Sequence, residues 1–261
     1  MDDFRVKYMG EENEKHLVNA LVEHYKISQY SDGTKYCGLT LEWDHKARKL
    51  HVSMTGYVQD ALQRFKHNPS QRRQDQPYPH TPTEYGAKAQ YAKGSDDSAL
   101  LAKADKKFIQ QGTGVFRFYA REVDSTMLTA LSEIASEQAT PTENTMKKCK
   151  QLLEYAASQE KAILTYTKSD MVLATHSDAS YLSESKARIR AGVHWFMEEH
   201  EEIPANNGAA MNVSQIINAV MSSAAEAELG AIIINLQTRG PGEEDARRTR
   251  TPAAEDTNAN R

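Results

Sequence analysis

The clearest candidates for chemistry in this sequence are two carboxylates, Asp178 and Glu228, separated by 50 residues (228 − 178). Asp178 follows an apolar run and precedes small residues, and Glu228 lies near the start of a predicted helix. Carboxylate oxygens are the ligands that Mg²⁺ prefers, and a two-ion nuclease site needs several of them to converge. The pair is compatible with the beginning of such a site, but by spacing alone it is more typical of a turn aspartate and a solvated helix glutamate.

A second glutamate leaves the helical partner of Asp178 undecided. At ~100° per residue, Glu226 and Glu228 lie ~200° apart around a helix, on opposite sides of an apolar stripe. We expect this stripe to pack on a sheet; it consists of Leu229, Ile232, Ile233 and Leu236. Only one of the two glutamates can then face Asp178, and the sequence does not decide which.

A third candidate is the adjacent pair Asp2 and Asp3, which precedes an alternating, strand-like run over residues 4–8. Adjacent aspartates on a tight turn form the metal-binding tip of a reverse-transcriptase palm. A bare pair of aspartates is also typical of a solvated N-terminus.

The elements that must position these residues are predicted from hydrophobic periodicity. Residues 35–43 and 49–54 are typical of a hairpin, and Thr55 is expected to cap a short helix after it. Residues 99–158 have a helical pattern, in which Thr140, Pro141 and Glu143 form a helix N-terminal signature. Further elements are predicted as a helix over residues 11–25, strands at 163–167, 172–177, 191–197 and 212–220, and a helix at 222–236.

Two stretches lack periodicity. Residues 67–97 contain four of the eight prolines among polar residues, and residues 238–261 contain balanced charges with Gly, Pro, Ala and Asn. Neither composition buries enough apolar surface to offset chain entropy. The first is predicted to be an extended linker and the second a disordered tail.

Composition excludes several classes of function. The net charge is −4, so there is no overall basic field for a polynucleotide, and Cys37 and Cys149 are expected to be free thiols. The sequence contains no apolar run of membrane-spanning length, and its N-terminus is acidic where a signal peptide is basic. We therefore expect a cytoplasmic protein.

Several blocks of the sequence resemble, in the same order, the polyproteins of copia-type retrotransposons. The blocks are DDFRVKY at residues 2–8, YCGLTLEWD at 36–44, GYV at 56–58 with ALQRF at 61–65, YGAK at 85–88, FYAR at 118–121 with VD at 123–124, SDASYLSE at 177–184, and residues 222–230. Together they span residues 2–237, and their shared order is far more specific than any single block.

The resemblance implies an α+β fold, a truncated reverse-transcriptase palm and thumb remnant followed by a partial RNase H-like α/β domain. The implied divisions are a palm remnant at 1–66, a linker at 67–97, a helical thumb or connection at 98–160, the RNase H part at 161–237 and a tail at 238–261. By motif, Asp2 and Asp3 match the polymerase aspartates, and Asp178 and Glu228 match RNase H ligands of Mg²⁺. The implied partners are a template–primer and an RNA–DNA hybrid.

Departures from the family pattern limit what the resemblance implies. Arg5 replaces a glycine and Arg117 interrupts an apolar run, while the third RNase H aspartate is expected on a further strand, where this sequence has its polar tail. We therefore expect a polyprotein fragment that is inactive on its own. The alternative is a non-enzymatic remnant that binds nucleic acid weakly through Arg72/Arg73, Lys106/Lys107 and Lys147/Lys148/Lys150, groups that are also typical of solvated surface.

Overall fold

The computed structural model describes residues 6, 8–29, 32–79, 96–184, 188–199 and 205–238. Its helices are α1 (Glu11–Val22), α2 (Tyr57–Arg64), α3 (Lys103–Glu122), α4 (Leu128–Glu137), α5 (Glu143–Ser158) and α6 (Ala224–Thr238). Its strands are β1 (Lys35–Tyr36), β2 (Leu39–Asp44), β3 (Lys49–Ser53), β4 (Leu164–Thr167), β5 (Val172–Glu184), β6 (Arg188–Glu198) and β7 (Ala209–Ile217). The predicted α+β class is confirmed, with two antiparallel sheets. No helix in these ranges is long and apolar enough to cross a membrane.

The predicted hairpin is confirmed as β2 and β3, which pair antiparallel from Thr40 and Ser53 to Asp44 and Lys49. The run predicted as one strand over residues 35–43 is divided by a tight turn at Cys37 and Gly38. Both residues have positive φ, 50° and 80°, which is the backbone twist that two-residue hairpin turns require. The extra turn adds β1 as an edge strand.

The strand β4 lies in the N-terminal sheet, where it pairs antiparallel with β3. The resemblance implies that this segment belongs to the RNase H part at 161–237. The side chains of His51 and Thr165 also join the two strands, with 2.8 Å between Nδ1 and Oγ1. The boundary predicted at residue 161 therefore does not separate the two sheets.

The main hydrophobic core lies between α2, α3, α4 and α5. Its largest fully buried side chains include Ile109, Phe116, Tyr119, Met127, Ile134, Leu152 and Leu153. The ring of Tyr57 stacks on Tyr119 with centroids 5.8 Å apart, and Phe65 packs against Phe108 and Phe116. Each buried side chain of this size stabilises the fold by about 1.5–3 kcal/mol relative to its exposure.

The helix α5 is capped by Thr142, not by Thr140 as predicted. The hydroxyl of Thr142 accepts a hydrogen bond from the backbone N–H of Thr145, and the Thr145 hydroxyl accepts one from the N–H of Thr142. This reciprocal pair satisfies two backbone donors that the first turn of a helix leaves free. Pro141 consequently precedes the cap and is not the first helical residue.

The first part of the predicted linker, residues 67–79, lies along α5. The backbone N–H of Ser70 donates to Glu154 at 2.9 Å, that of Gln74 donates to the Ser158 hydroxyl at 3.0 Å, and Gln151 donates to the Gln76 carbonyl. These bonds hold an irregular segment against a helix. Residues 80–95 and the predicted tail beyond residue 238 lie outside the described residues.

The C-terminal sheet has the order β5-β6-β7, and α6 packs on one of its faces. The helix contacts the sheet through Ala227, Ala231, Ile234 and Asn235. The stripe that we expected to face the sheet points away from it: Leu229, Ile232, Ile233 and Leu236 are 57%, 45%, 46% and 58% exposed. That prediction is wrong because α6 is apolar around most of its circumference, and small side chains let its backbone approach the strands more closely.

Candidate functional site

Asp178 lies in the middle of the 13-residue strand β5, not at a strand end as predicted. Its neighbour Ala179 packs against the small core beneath α6. Because successive side chains of a strand point to opposite faces, the exposed carboxylate of Asp178 lies on the face away from this helix. Its directly opposite partner on β6 is Gly192, which has no side chain to cover the carboxylate.

The strand that carries Asp178 is at the edge of the described sheet. In the described sheet β6 occupies the central place and pairs with both β5 and β7. An edge strand presents backbone N–H groups that no neighbouring strand satisfies. One of these, the N–H of Ala179, donates to Oε1 of Glu228 at 3.4 Å.

The two glutamates of α6 have different tasks. Glu226 turns back on Ser222, accepting a hydrogen bond from its backbone N–H at 2.7 Å and one from its hydroxyl at 3.0 Å. The backbone N–H and then the hydroxyl of Ser222 lower the pKa of Glu226, since both stabilise the ionised form. The hydroxyl of Ser223 accepts from the backbone N–H of Glu226, so these residues complete the helix N-terminus. Glu228 is the helix carboxylate directed at the strand of Asp178.

Other acids are poorly placed to join Asp178 and Glu228. Glu184 is buried and forms an ion pair with Arg190, whose Nε lies 2.7 Å from the Glu184 carboxylate. Asp170 precedes Asp178 by eight residues, a separation of roughly 26 Å along extended chain. Within the described ranges, no group of three or more His, Cys, Asp or Glu residues is arranged to hold a metal ion.

The polymerase-type candidates Asp2 and Asp3 lie outside the described residues. Their relation to Asp178 and Glu228 stays a prediction from the resemblance.

Three of the basic residues considered for nucleic-acid binding form contacts within the protein. Arg73 pairs with Asp75 at 2.6 Å in a polar depression of about 440 Å³, and Lys106 donates to the carbonyl of Ala139 at 2.6 Å. Lys148 is largely buried between two glutamates, with Nζ 3.0 Å from Glu133 and 2.5 Å from Glu137. Burial opposes its charge, but the hydrogen bonds to Glu137 and Glu133 outweigh this effect and raise the pKa of Lys148. These three cations already have partners.

Sequence reasoning missed a cavity of about 130 Å³ between α3, α4 and β7. Arg117 and Arg121 line one side of it, and Asn212 and Ser214 line the other. Arg117 was noted in the sequence only as an interruption of an apolar run. Its position one helical turn before Arg121 is the signal that pairs the two guanidinium groups on one face of α3.

Comparison of the chain with protein-family models, with curated protein sequences and with solved structures gave no match. The resemblance to copia-type polyproteins rests on the ordered sequence blocks alone.

Proposed function

We propose that this chain is a part of a copia-type retrotransposon polyprotein, with reverse-transcriptase and RNase H ancestry. In this proposal β1 to β3 and α2 derive from the palm, α3 to α5 from the thumb or connection, and β4 to α6 from an RNase H-like domain, although β4 pairs with β3. Three antiparallel strands followed by a helix, in the order β5, β6, β7 and α6, support the last assignment. The ordered sequence blocks support the others.

The observation that carries the proposed site is the contact between Glu228 and the backbone of Ala179, the residue next to Asp178. It brings one helix carboxylate to the strand of the other, while Glu226 is held at the helix start. Two carboxylates are a suitable but thin ligand set for Mg²⁺, which completes its octahedron with waters and substrate phosphate. Because Asp178 and Glu228 reach the edge of β5 from opposite faces of the sheet, a Mg²⁺ ion shared there would be bound weakly.

The proposed ancestral reaction is cleavage of RNA in an RNA–DNA hybrid. Metal ions in such a site activate a water and stabilise the leaving oxygen. Asp178 and Glu228 approach the edge of β5 from different sides, and no further acid in the described ranges joins them. We expect hybrid cleavage by this chain alone to be absent or very slow.

The test compares three variants of the full chain: Asp178→Asn, Glu228→Gln and the matched control Glu226→Gln. Titration with Mn²⁺, followed by paramagnetic broadening of NMR signals from residues near 178 and 228, should detect weak binding in wild type and Glu226→Gln. Binding should be lost in Asp178→Asn and Glu228→Gln. Equal binding by all four proteins would refute the site. Rapid hybrid cleavage that Asp178→Asn abolishes would instead refute the expected inactivity.

A non-enzymatic role in binding nucleic acid is the alternative proposal. The partners of Arg73, Lys106 and Lys148 disfavour the basic groups first considered for this role. Affinity for a hybrid that is insensitive to Mg²⁺ and to Asp178→Asn would distinguish it from the metal-site proposal.

A further inference from the structure

The cavity between α3, α4 and β7 has an unusual charge for a protein of net charge −4. Its lining contains two arginines, Arg117 and Arg121, and no acid. Both arginines are exposed, and neither is paired with a carboxylate in the part of the chain that the structure describes. Two like charges one helical turn apart repel each other, so an anion between them would relieve that repulsion.

The opposite wall supplies neutral hydrogen-bond donors. The amide oxygen of Asn212 lies 2.7 Å from Nδ1 of His194. An amide oxygen only accepts hydrogen bonds, so Nδ1 of His194 is the donor. The NH₂ group of Asn212 is then the part of this side chain that can donate to a ligand. The hydroxyl of Ser132 lines the same cavity from α4. Hydroxyl and amide donors beside arginines are the groups that bind an oxyanion.

A third arginine, Arg190, lies behind the wall that β7 contributes to the cavity. Nη1 of Arg190 lies 3.3 Å from the hydroxyl of Ser214, which itself lines the cavity and also lies 3.1 Å from the hydroxyl of Thr129. Arg190 is only 5% exposed, and its Nη2 is buried with no hydrogen-bond partner in the described structure. Glu184 pairs with Nε of Arg190 and neutralises the charge of this arginine. Nη1 of Arg190 still donates to Ser214 and polarises its hydroxyl on the cavity side.

The size of the cavity restricts the ligand. Pockets for drug-sized molecules have volumes of ~300–1,000 Å³, and about 130 Å³ is well below that range. The space suits one small polyatomic anion. The planar guanidinium groups of arginine present paired N–H donors that match the geometry of phosphate oxygens.

We propose that the cavity formed by Arg117, Arg121, Ser132, Asn212 and Ser214 binds a single phosphate group. The phosphate is either free, as inorganic phosphate or a small phosphate ester, or part of a nucleic-acid backbone. Binding of a nucleic-acid backbone rests on the proposed function, whereas binding of a free phosphate does not. In this site Arg117 binds the phosphate. Because the lining residues come from α3, α4 and β7, the phosphate also links the two helices to the C-terminal sheet.

The first arm of the test uses inorganic phosphate and the full chain. Wild type is compared with the double variant Arg117→Ala/Arg121→Ala and with Arg72→Ala/Arg73→Ala, which loses the same charge at a distant site. At matched ionic strength, phosphate should raise the melting temperature of wild type and of the distant variant, relative to chloride. The double variant should lose this shift, because each lost charge-assisted hydrogen bond weakens binding by roughly tenfold or more. A shift that is equal in all three proteins, or absent from wild type, would overturn the proposal.

Hydrogen exchange of the wild-type chain gives a readout that does not depend on how the variants fold. Phosphate should protect amides around residues 212–215 and at the C-terminal end of α3. Protection spread evenly over the chain, or absent from these segments, would overturn the site.

The second arm identifies the source of the phosphate with a short single-stranded DNA and an RNA–DNA hybrid. If the backbone is the ligand, the salt dependence of binding should fall by about one unit of slope for each arginine removed. Phosphate-specific stabilisation without nucleic-acid binding would support a small phosphate ligand and would count against the proposed function alone.

Discussion

The helical region and the C-terminal sheet are stabilised in different ways. The helical region surrounds large buried side chains, among them Phe116, Tyr119 and Ile109, and large aromatic side chains bury ~150–250 Å² each. The core between α6 and the sheet is built from Ile189, Ala191, Ile217, Ala227 and Ala231. The comparison indicates that the first region depends on hydrophobic volume, whereas the second depends on close approach and on specific polar contacts.

One polar contact holds α6 in its orientation. The indole N–H of Trp195 donates to the amide oxygen of Asn235 at 2.6 Å, and the Asn235 amide donates to the Thr175 hydroxyl at 3.0 Å. All three groups belong to the interface between the helix and the strands β5 and β6. A buried network of this kind specifies one orientation of a helix that is apolar on both sides.

The largest effect is expected from Phe116→Ala. This side chain is fully buried in the helical core, so its truncation should lower the free energy of unfolding by about 3–5 kcal/mol through lost burial and the cavity left behind. Urea denaturation monitored by circular dichroism measures the change. The control Leu229→Ala removes a side chain that is mostly exposed and should change stability by less than about 0.5 kcal/mol. Similar effects of both variants would contradict the comparison.

A smaller effect is expected from Asn235→Ala. The variant leaves the buried N–H of Trp195 without its acceptor, which should cost about 1–3 kcal/mol. The fluorescence of Trp195 should shift as its environment changes, and urea denaturation gives the loss of stability. The control is Gln237→Ala on the exposed side of the same helix. If Asn235→Ala is as neutral as that control, the contact does not orient α6.

The smallest effect is measured without any substitution, by labelling the two native cysteines, whose reaction rates report how exposed each thiol is. Burial raises the pKa of Cys149 to about 11, so at pH 8 it is a protonated thiol inside the helical core and cannot act as a nucleophile. Cys37 is partly exposed in the turn between β1 and β2. A thiol reagent at pH 8 should label Cys37 first, and Cys149 only as the helical region opens. Mass spectrometry of the labelled peptides gives both rates, and equal rates would show that this core is not closed.

The candidate site shows what residue spacing can and cannot predict. The sequence identified Asp178, Glu226 and Glu228, but a helical wheel could not choose between the glutamates. Ser222 and Ser223 decide the matter locally by holding Glu226 at the helix start. Asp178 was misplaced at a strand end because the polar residues after it resemble a turn, whereas they continue an edge strand with one exposed face.

The Arg117 cavity could not be predicted from any one segment. Its arginines come from α3 and the hydroxyl of Ser132 from α4, but the Asn212 and Ser214 donors come from β7, 95 residues after Arg117 (212 − 117 = 95). Arg117 looked anomalous in the sequence because one wall of the cavity that it lines comes from a strand far along the chain.

The sequence by itself determined most of the element positions, including the β2–β3 hairpin and the helices α1, α3 and α5. These depend on periodicity and turn residues, and therefore on hydrogen bonds within a few positions. Tertiary structure alone decided that β4 joins β3, that β5 lies at the described edge, and that α6 turns Ala227 and Ala231 inward. Each of these outcomes depends on which distant surfaces fit together, and a helix with two apolar faces does not specify that choice locally.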